Sequence, residues 1–214
     1  PEDKLRLVSV MQERAEIVAM TGDAVNDAAA LKKADVGVAM GSGSEVSKES
    51  AKMILTDDNF ATLVHAIELG RDIYGKITAQ IRYVLIGLFG FVTVMLAGSI
   101  LNLNSGSVLN PLQLLFVSFL IGLFPAIGIS TDSTEPGIMQ ASPRDPGLTI
   151  LNATTAPRWI AFGLVQAGAC LLPFVWLSEL GPQRAQTMTF AILAISTVLL
   201  AVSARRDLLP ATAG

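Results

Sequence analysis

From Tyr83 to Thr131 the chain contains no Asp, Glu, Lys, Arg or His. Such a run is expected inside a bilayer, and the turn-forming patch from Asn102 to Pro111 divides it into two stretches, each near the roughly 20 residues that cross a membrane. Trp159–Leu177 and Thr187–Ser203 are uncharged as well, so four spans are expected, at about 84–103, 109–131, 159–177 and 187–203. Charge is concentrated before them: residues 1–82 hold 10 of the 15 Lys and Arg and 13 of the 18 Asp and Glu. A chain that is 51% hydrophobic and 15% charged, with a mean hydropathy of +0.55, is neither disordered nor an ordinary soluble domain. Water is the expected solvent of the first part and lipid that of the second.

Four crossings put both ends on one side. The short connections on the far side carry one basic residue, Arg184, whereas Arg71, Lys76, Arg82, Arg144, Arg158, Arg205 and Arg206 flank the near side. The positive-inside bias makes that near side, with the amino and carboxyl ends, cytoplasmic. A net charge of −3 gives no basic field for a polyanion, so nucleic acid is not an expected partner. The single Cys170 forms no internal disulfide and no Cys-x-x-Cys metal pair. The opening Pro-Glu-Asp-Lys has neither an initiator Met nor a signal peptide, and the chain reads as a piece of something longer.

The water-exposed part alternates in type. Glu2–Arg14 has Leu5, Val8 and Met11 at helical spacing, Glu16–Met20 is a short apolar strand, Val25–Lys33 reads as helix, Val36–Met40 as strand, Ser44–Lys52 as helix and Met53–Leu55 as strand. This order predicts a parallel sheet with covering helices, in which ligands bind at the carboxyl ends of the strands. Asp23 falls there. In Thr21-Gly22-Asp23-Ala24-Val25-Asn26-Asp27, two carboxylates four residues apart at a helix start suit Mg²⁺ held near a phosphate, and Asn26 can donate to a phosphoryl oxygen. A purely structural reading remains open, with Asp23 capping the helix and Asp27 a solvated acid of its first turn. Phe60–Arg82 reads as one helix running towards the membrane, a mechanical link between the two parts.

Met20–Leu31, Lys32–Gly41 and Leu55–Phe60, followed by Gly70–Tyr74, Ile81–Tyr83, Pro111–Leu115, Pro125-Ala126, Glu135–Met139 and Pro143–Pro146, resemble the ordered signatures of P-type ATPases, closest to the calcium-type branch. The resemblance implies a haloacid-dehalogenase-like α/β phosphorylation-domain part over 1–70, a stalk helix over 71–82, and an all-α four-helix transmembrane region over 83–214. It implies an integral, multi-pass protein of the plasma membrane that couples formation and hydrolysis of an aspartyl phosphate to movement of a cation or other small substrate. Asp23 matches the family's Mg²⁺ ligand, Asp27 the second acid of that motif, Asn26 the asparagine beside the phosphoryl group, and Lys4 the lysine that balances its charge. The implied partners are the bilayer and the upstream half of the same transporter, whose domains would bind most of the ATP.

The chain departs from the family where Ala24 and Ala29 stand for the usual Gly and Pro; Ala24 is tolerable if its φ is negative. The nucleophile segment Asp-Lys-Thr-Gly-Thr is absent, so the piece alone is not expected to be active. Ca²⁺ needs about six to eight oxygens, several of them charged, and these spans offer hydroxyls, carbonyls and amides only. Gln113, Ser118, Pro125 and Thr197 are the transport-path candidates, with interhelical hydrogen bonding as the plainer role of the polar ones. The alternative function is a non-catalytic truncated membrane fragment, lacking the nucleophile and the transport ligands.

Overall fold

The computed structural model describes residues 2–134, 136–144, 147, 149–152, 154–176 and 181–206, without the side chains of Leu120, Ile121, Arg205 and Arg206. Leu177, residues 207–214 and the motif residues Glu135, Asp145 and Pro146 lie outside the described residues. The chain forms two compact units, Pro1–Gly70 and Arg71–Gly214.

In the first unit, α1 (Glu2–Glu13), β1 (Ala19–Gly22), a 3₁₀ turn (Val25–Asp27), α2 (Ala28–Lys33), β2 (Val36–Met40), α3 (Glu45–Ser50) and β3 (Met53–Leu55) follow one another. The strands form a parallel sheet in the order β1-β2-β3. The central strand is the most buried: Val38 and Ala39 are fully buried, as a strand covered on both faces requires. Gly37 is needed because a Cβ there would sit 2.2 Å from the Leu31 carbonyl oxygen, so α2 crosses β2 backbone to backbone. Val8 of α1 packs with Val18, Ala34 and Met20, each burial of this kind contributing roughly 1.5–3 kcal/mol for a Val-sized group. The first strand begins later than its apolar sequence suggests. Asp35 explains this: its carboxylate accepts from the Val18 amide at 3.0 Å and from Gln12 at 3.1 Å, so Val18 gives its N–H to a side chain and only its carbonyl, accepting from Val36 N at 3.1 Å, to the ladder.

The second unit is helical. α4 (Phe60–Ile100), which begins in the first unit, continues for 41 residues without a break. It is followed by α5 (Pro111–Phe116), a π turn (Val117–Ile121), α6 (Gly122–Ser130), α7 (Thr155–Trp176) and α8 (Pro182–Arg206). Among the described residues four segments are long and apolar enough to cross a membrane: Phe60–Ile100, Pro111–Ser130, Thr155–Trp176 and Pro182–Ala204. The second is broken by the π turn ahead of Pro125, whose missing N–H cannot close the regular ladder one turn earlier. On α4 the buried residues Gly75, Ala79, Tyr83, Ile86, Gly90, Val94 and Gly98 recur every three or four positions and form one seam. Leu88, Phe89, Val92 and Leu96 are exposed on other faces, at no cost in lipid. Gly163 of α7 meets that seam; a Cβ on it would lie 3.1 Å from both Gly90 N and Ile86 O. Polar bonds join α7 to α8, from Thr189 Oγ1 to Cys170 O at 2.7 Å and from Gln166 Nε2 to Ser196 Oγ at 3.0 Å.

Candidate functional site

β1 ends at Gly22 and delivers Asp23 to the carboxyl edge of the sheet, where the loops after β2 and β3 also arrive. Ala24 has φ −97° and ψ 156°, an extended conformation that accepts a Cβ without strain. The chain then tightens: the Asp27 amide donates to Ala24 O at 2.9 Å. Asp27 is 5% exposed, and its Oδ1 accepts from Lys4 Nζ at 2.7 Å across α1 and the 3₁₀ turn. The Lys4 ammonium holds the Asp27 carboxyl below the usual aspartate range, against the opposing effect of burial. Asp27 is therefore a buried, paired acid and not a solvated one. Asp23 and Asn26 are exposed. Asp23 caps neither helical segment, since the capping positions are Ala24 and Asp27 and neither makes a side-chain cap bond.

The neighbouring loops brace this edge. The Ser44 amide donates to Asp23 O at 2.8 Å, and the fully buried Ser47 donates through Oγ to Ala24 O at 2.7 Å, so the start of α3 grips the Asp23-Ala24 backbone from the side. From the β3 loop, Asp58 accepts from the Ser42 amide at 3.2 Å, and Ser42 holds its carboxyl below the usual range. Sequence reasoning did not single out Ser42, Ser44, Ser47 or Asp58. Only the Ser44 cap, whose Oγ accepts from the Ser47 amide, had a local signal.

Mg²⁺ is usually held by one or two carboxylates, with waters and substrate phosphate oxygens completing six positions. Asp23 and Asp27, beside the Asn26 amide, fit that incomplete set. Among the described residues no group of three or more His, Cys, Asp and Glu could form a closed cage. Asp23 and Asn26 present oxygen donors to solvent at this edge, and Lys4 neutralises Asp27 beside them.

In the second unit a cavity of about 530 Å³ lies between α4, the π turn, α6 and α8, and Ser118 and Thr197 both line it. Its other walls include Tyr83, Phe91 and Leu193, and no lining residue is charged. Thr197 Oγ1 donates to Leu193 O within its own helix at 2.7 Å. Gln113 is elsewhere: its side chain accepts from the Asn110 amide at 3.0 Å in a capping box at the start of α5. Pro125 is inside α6 and outside the cavity lining.

The family model described as "Cation transporting ATPase, C-terminus" matches residues 106–212, and that of the haloacid dehalogenase-like hydrolases matches residues 5–67. The chain belongs to the cation-transporting P-type ATPases. A calcium-transporting ATPase of Listeria monocytogenes is 38% identical over 97% of this chain and 23% of that protein. The calcium-transporting ATPase of Bacillus subtilis is 38% identical over 93% of this chain and 23% of its own length. An endoplasmic reticulum-type calcium-transporting ATPase of Arabidopsis thaliana is 36% identical, covering 99% and 22%. The chain thus spans about a quarter of the length of these relatives. As a P-type ATPase sequence, it pairs a haloacid-dehalogenase-like sheet with four membrane-length helices.

Proposed function

We propose that this chain is the carboxy-terminal part of an ATP-driven cation pump, in which Mg²⁺-dependent formation and hydrolysis of an aspartyl phosphate move a small cation across a membrane. The observation that carries this is the Lys4–Asp27 pair beside exposed Asp23 and Asn26 at the carboxyl edge of the sheet. In this reading Asp23 is the principal Mg²⁺ ligand and Asp27 its second acid. Asn26 donates to a phosphoryl oxygen, and Lys4 offsets charge that builds up during transfer. Phosphoryl transfer depends mainly on such positioning and neutralisation. The nucleophilic aspartate and most of the ATP site belong to the upstream half of the same transporter. Residues 71–82 act as a stalk within α4, transmitting events at Asp23 to the spans as a two-state shift. The ends face the cytoplasm of a plasma-membrane protein.

The relatives are named for calcium, and a calcium site here would take its charged oxygens from upstream spans, because residues 83–131, 159–177 and 187–203 contain no carboxylate. Phosphoenzyme formation by the complete polypeptide in membranes, screened against Ca²⁺, Mn²⁺, K⁺, protons and polyamines, tests the reading. Loss of Mg²⁺-dependent phosphoenzyme in Asp23→Asn supports it. Retained turnover in that variant overturns the role of Asp23, and a complete polypeptide that forms no phosphoenzyme favours the non-catalytic fragment.

A further inference from the structure

We infer, on the reading of this chain as part of a cation pump, that the cavity of about 530 Å³ between α4, the π turn, α6 and α8 takes a lipophilic organic cation, of the quaternary ammonium or phosphonium kind, and not a bare metal ion. A dehydrated Ca²⁺ needs about six to eight oxygens, several of them charged. Among the described residues the polar side chains of this lining are Tyr83, Ser118 and Thr197, and all three are hydroxyls. Two of them already serve the backbone: Tyr83 Oη donates to Gly122 O at 3.3 Å, and Thr197 Oγ1 to Leu193 O at 2.7 Å. Walls of this kind cannot offset the loss of a small ion's water shell. An ion whose charge lies beneath alkyl or aryl groups holds water weakly, loses little on entry and gains the burial of its apolar surface.

The walls supply what such an ion needs. Tyr83 and Phe91 stand on the α4 wall about 12 Å apart along the helix axis. Phe119 borders the same space from the π turn, so aromatic rings occur at three places around an uncharged cavity. Ring faces attract cations most strongly where water is excluded, and they recognise quaternary ammonium groups in this way. Gly87, midway between Tyr83 and Phe91, leaves the gap between them open: a Cβ built there meets nothing within 4 Å. The volume falls within the roughly 300–1,000 Å³ of pockets that enclose organic ligands. Leu88 and Phe119 line the cavity and are also exposed, so a ligand dissolved in the bilayer can reach it from the side.

The test is equilibrium binding of radiolabelled tetraphenylphosphonium to the complete polypeptide purified in detergent, without ATP, so that the readout does not depend on phosphoenzyme. Saturable binding that micromolar Ca²⁺ does not displace is expected, with weaker binding of tetraphenylborate, an anion of the same shape. Phe91→Leu keeps an apolar wall but removes a ring face, and should weaken tetraphenylphosphonium binding about fivefold, the weight of one desolvated cation–aromatic contact. Phe91→Tyr should keep the affinity. If Phe91→Leu fails to fold, Gly87→Leu places its side chain in the open gap and should weaken binding as well. No saturable binding, as when an upstream span fills the cavity, equal affinity for the two tetraphenyl ions, displacement by micromolar Ca²⁺, or undiminished binding in both Phe91→Leu and Gly87→Leu overturns the inference. Phosphoenzyme formation in the same preparation reports separately on the pump reading.

Discussion

Lys4 and Asp27 are joined by a 2.7 Å ion pair although 23 positions separate them, and the acid is buried while the lysine side chain is 51% exposed. The pair fixes α1 against the first loop of the site, so it acts on stability as well as on charge. Asp27→Asn should lower stability by about 1 kcal/mol, the usual size of a charge-assisted bond with one exposed partner. The drop is measured as a shift in unfolding midpoint.

The same pair gives a pH dependence with a defined sign. Because Lys4 lowers the folded-state pKa of Asp27, the contribution is complete above the ordinary aspartate value of 3.8 and is lost as pH falls through the lower folded value. Denaturant midpoints measured between neutral and strongly acidic pH should fall more steeply in the wild type than in Asp27→Asn. Parallel curves would show that the pair carries no such linkage.

Ser47 is the brace most open to a clean test. Ser47→Ala removes the 2.7 Å bond to Ala24 O and should cost about 1 kcal/mol. Because that bond positions the backbone after Asp23, the Mg²⁺ concentration needed for half-maximal phosphoenzyme should also rise. An unchanged Mg²⁺ requirement alongside lowered stability would confine Ser47 to the fold.

At Gly37 the obstacle to a side chain is the backbone of Leu31, which cannot rotate away. Gly37→Ala should destabilise the first unit by about 3 kcal/mol, at the upper end of overpacking costs. Limited proteolysis should show new cleavage within residues 1–70, while the membrane helices stay protected.

The two glycines at the α4–α7 crossing should differ. A Cβ on Gly163 meets Phe89 Cβ at 3.0 Å and two backbone atoms, Gly90 N and Ile86 O, at 3.1 Å, whereas one on Gly90 meets the side-chain oxygen of Gln166 at 2.7 Å and a single backbone atom, Gly163 O, at 3.1 Å. Gly163→Ala should therefore lower the detergent-solubilised melting temperature more than Gly90→Ala. The opposite order would mean that the Gln166 amide is held more rigidly than its hydrogen bond to Ser196 implies.

Much of this was legible along the chain because the signals are local. The lack of charge from Tyr83 to Thr131 announces lipid whatever the neighbours are, and Val36–Met40 and Met53–Leu55 occur as strands with the boundaries their apolar runs indicate. Asp23, Asn26 and Asp27 share one loop, so their proximity was never in question. The break in the second membrane segment was harder to read: Pro125 marks it, but the distortion appears as a π turn several residues earlier.

Tertiary structure alone decided what joins residues distant in sequence. The Lys4–Asp27 pair, the grip of Ser44 and Ser47 on the Asp23-Ala24 backbone, and the meeting of Ser118 with Thr197 around one cavity all depend on which helix packs against which loop. Composition and periodicity specify which face of an element avoids water, but not its partner across a packed interface. The sequence by itself therefore determined the two solvents, the alternating sheet and the loop that carries the acids. Folding determined which acid is buried beside a lysine and which is left exposed, because burial and charge pairing are properties of the neighbours that packing supplies.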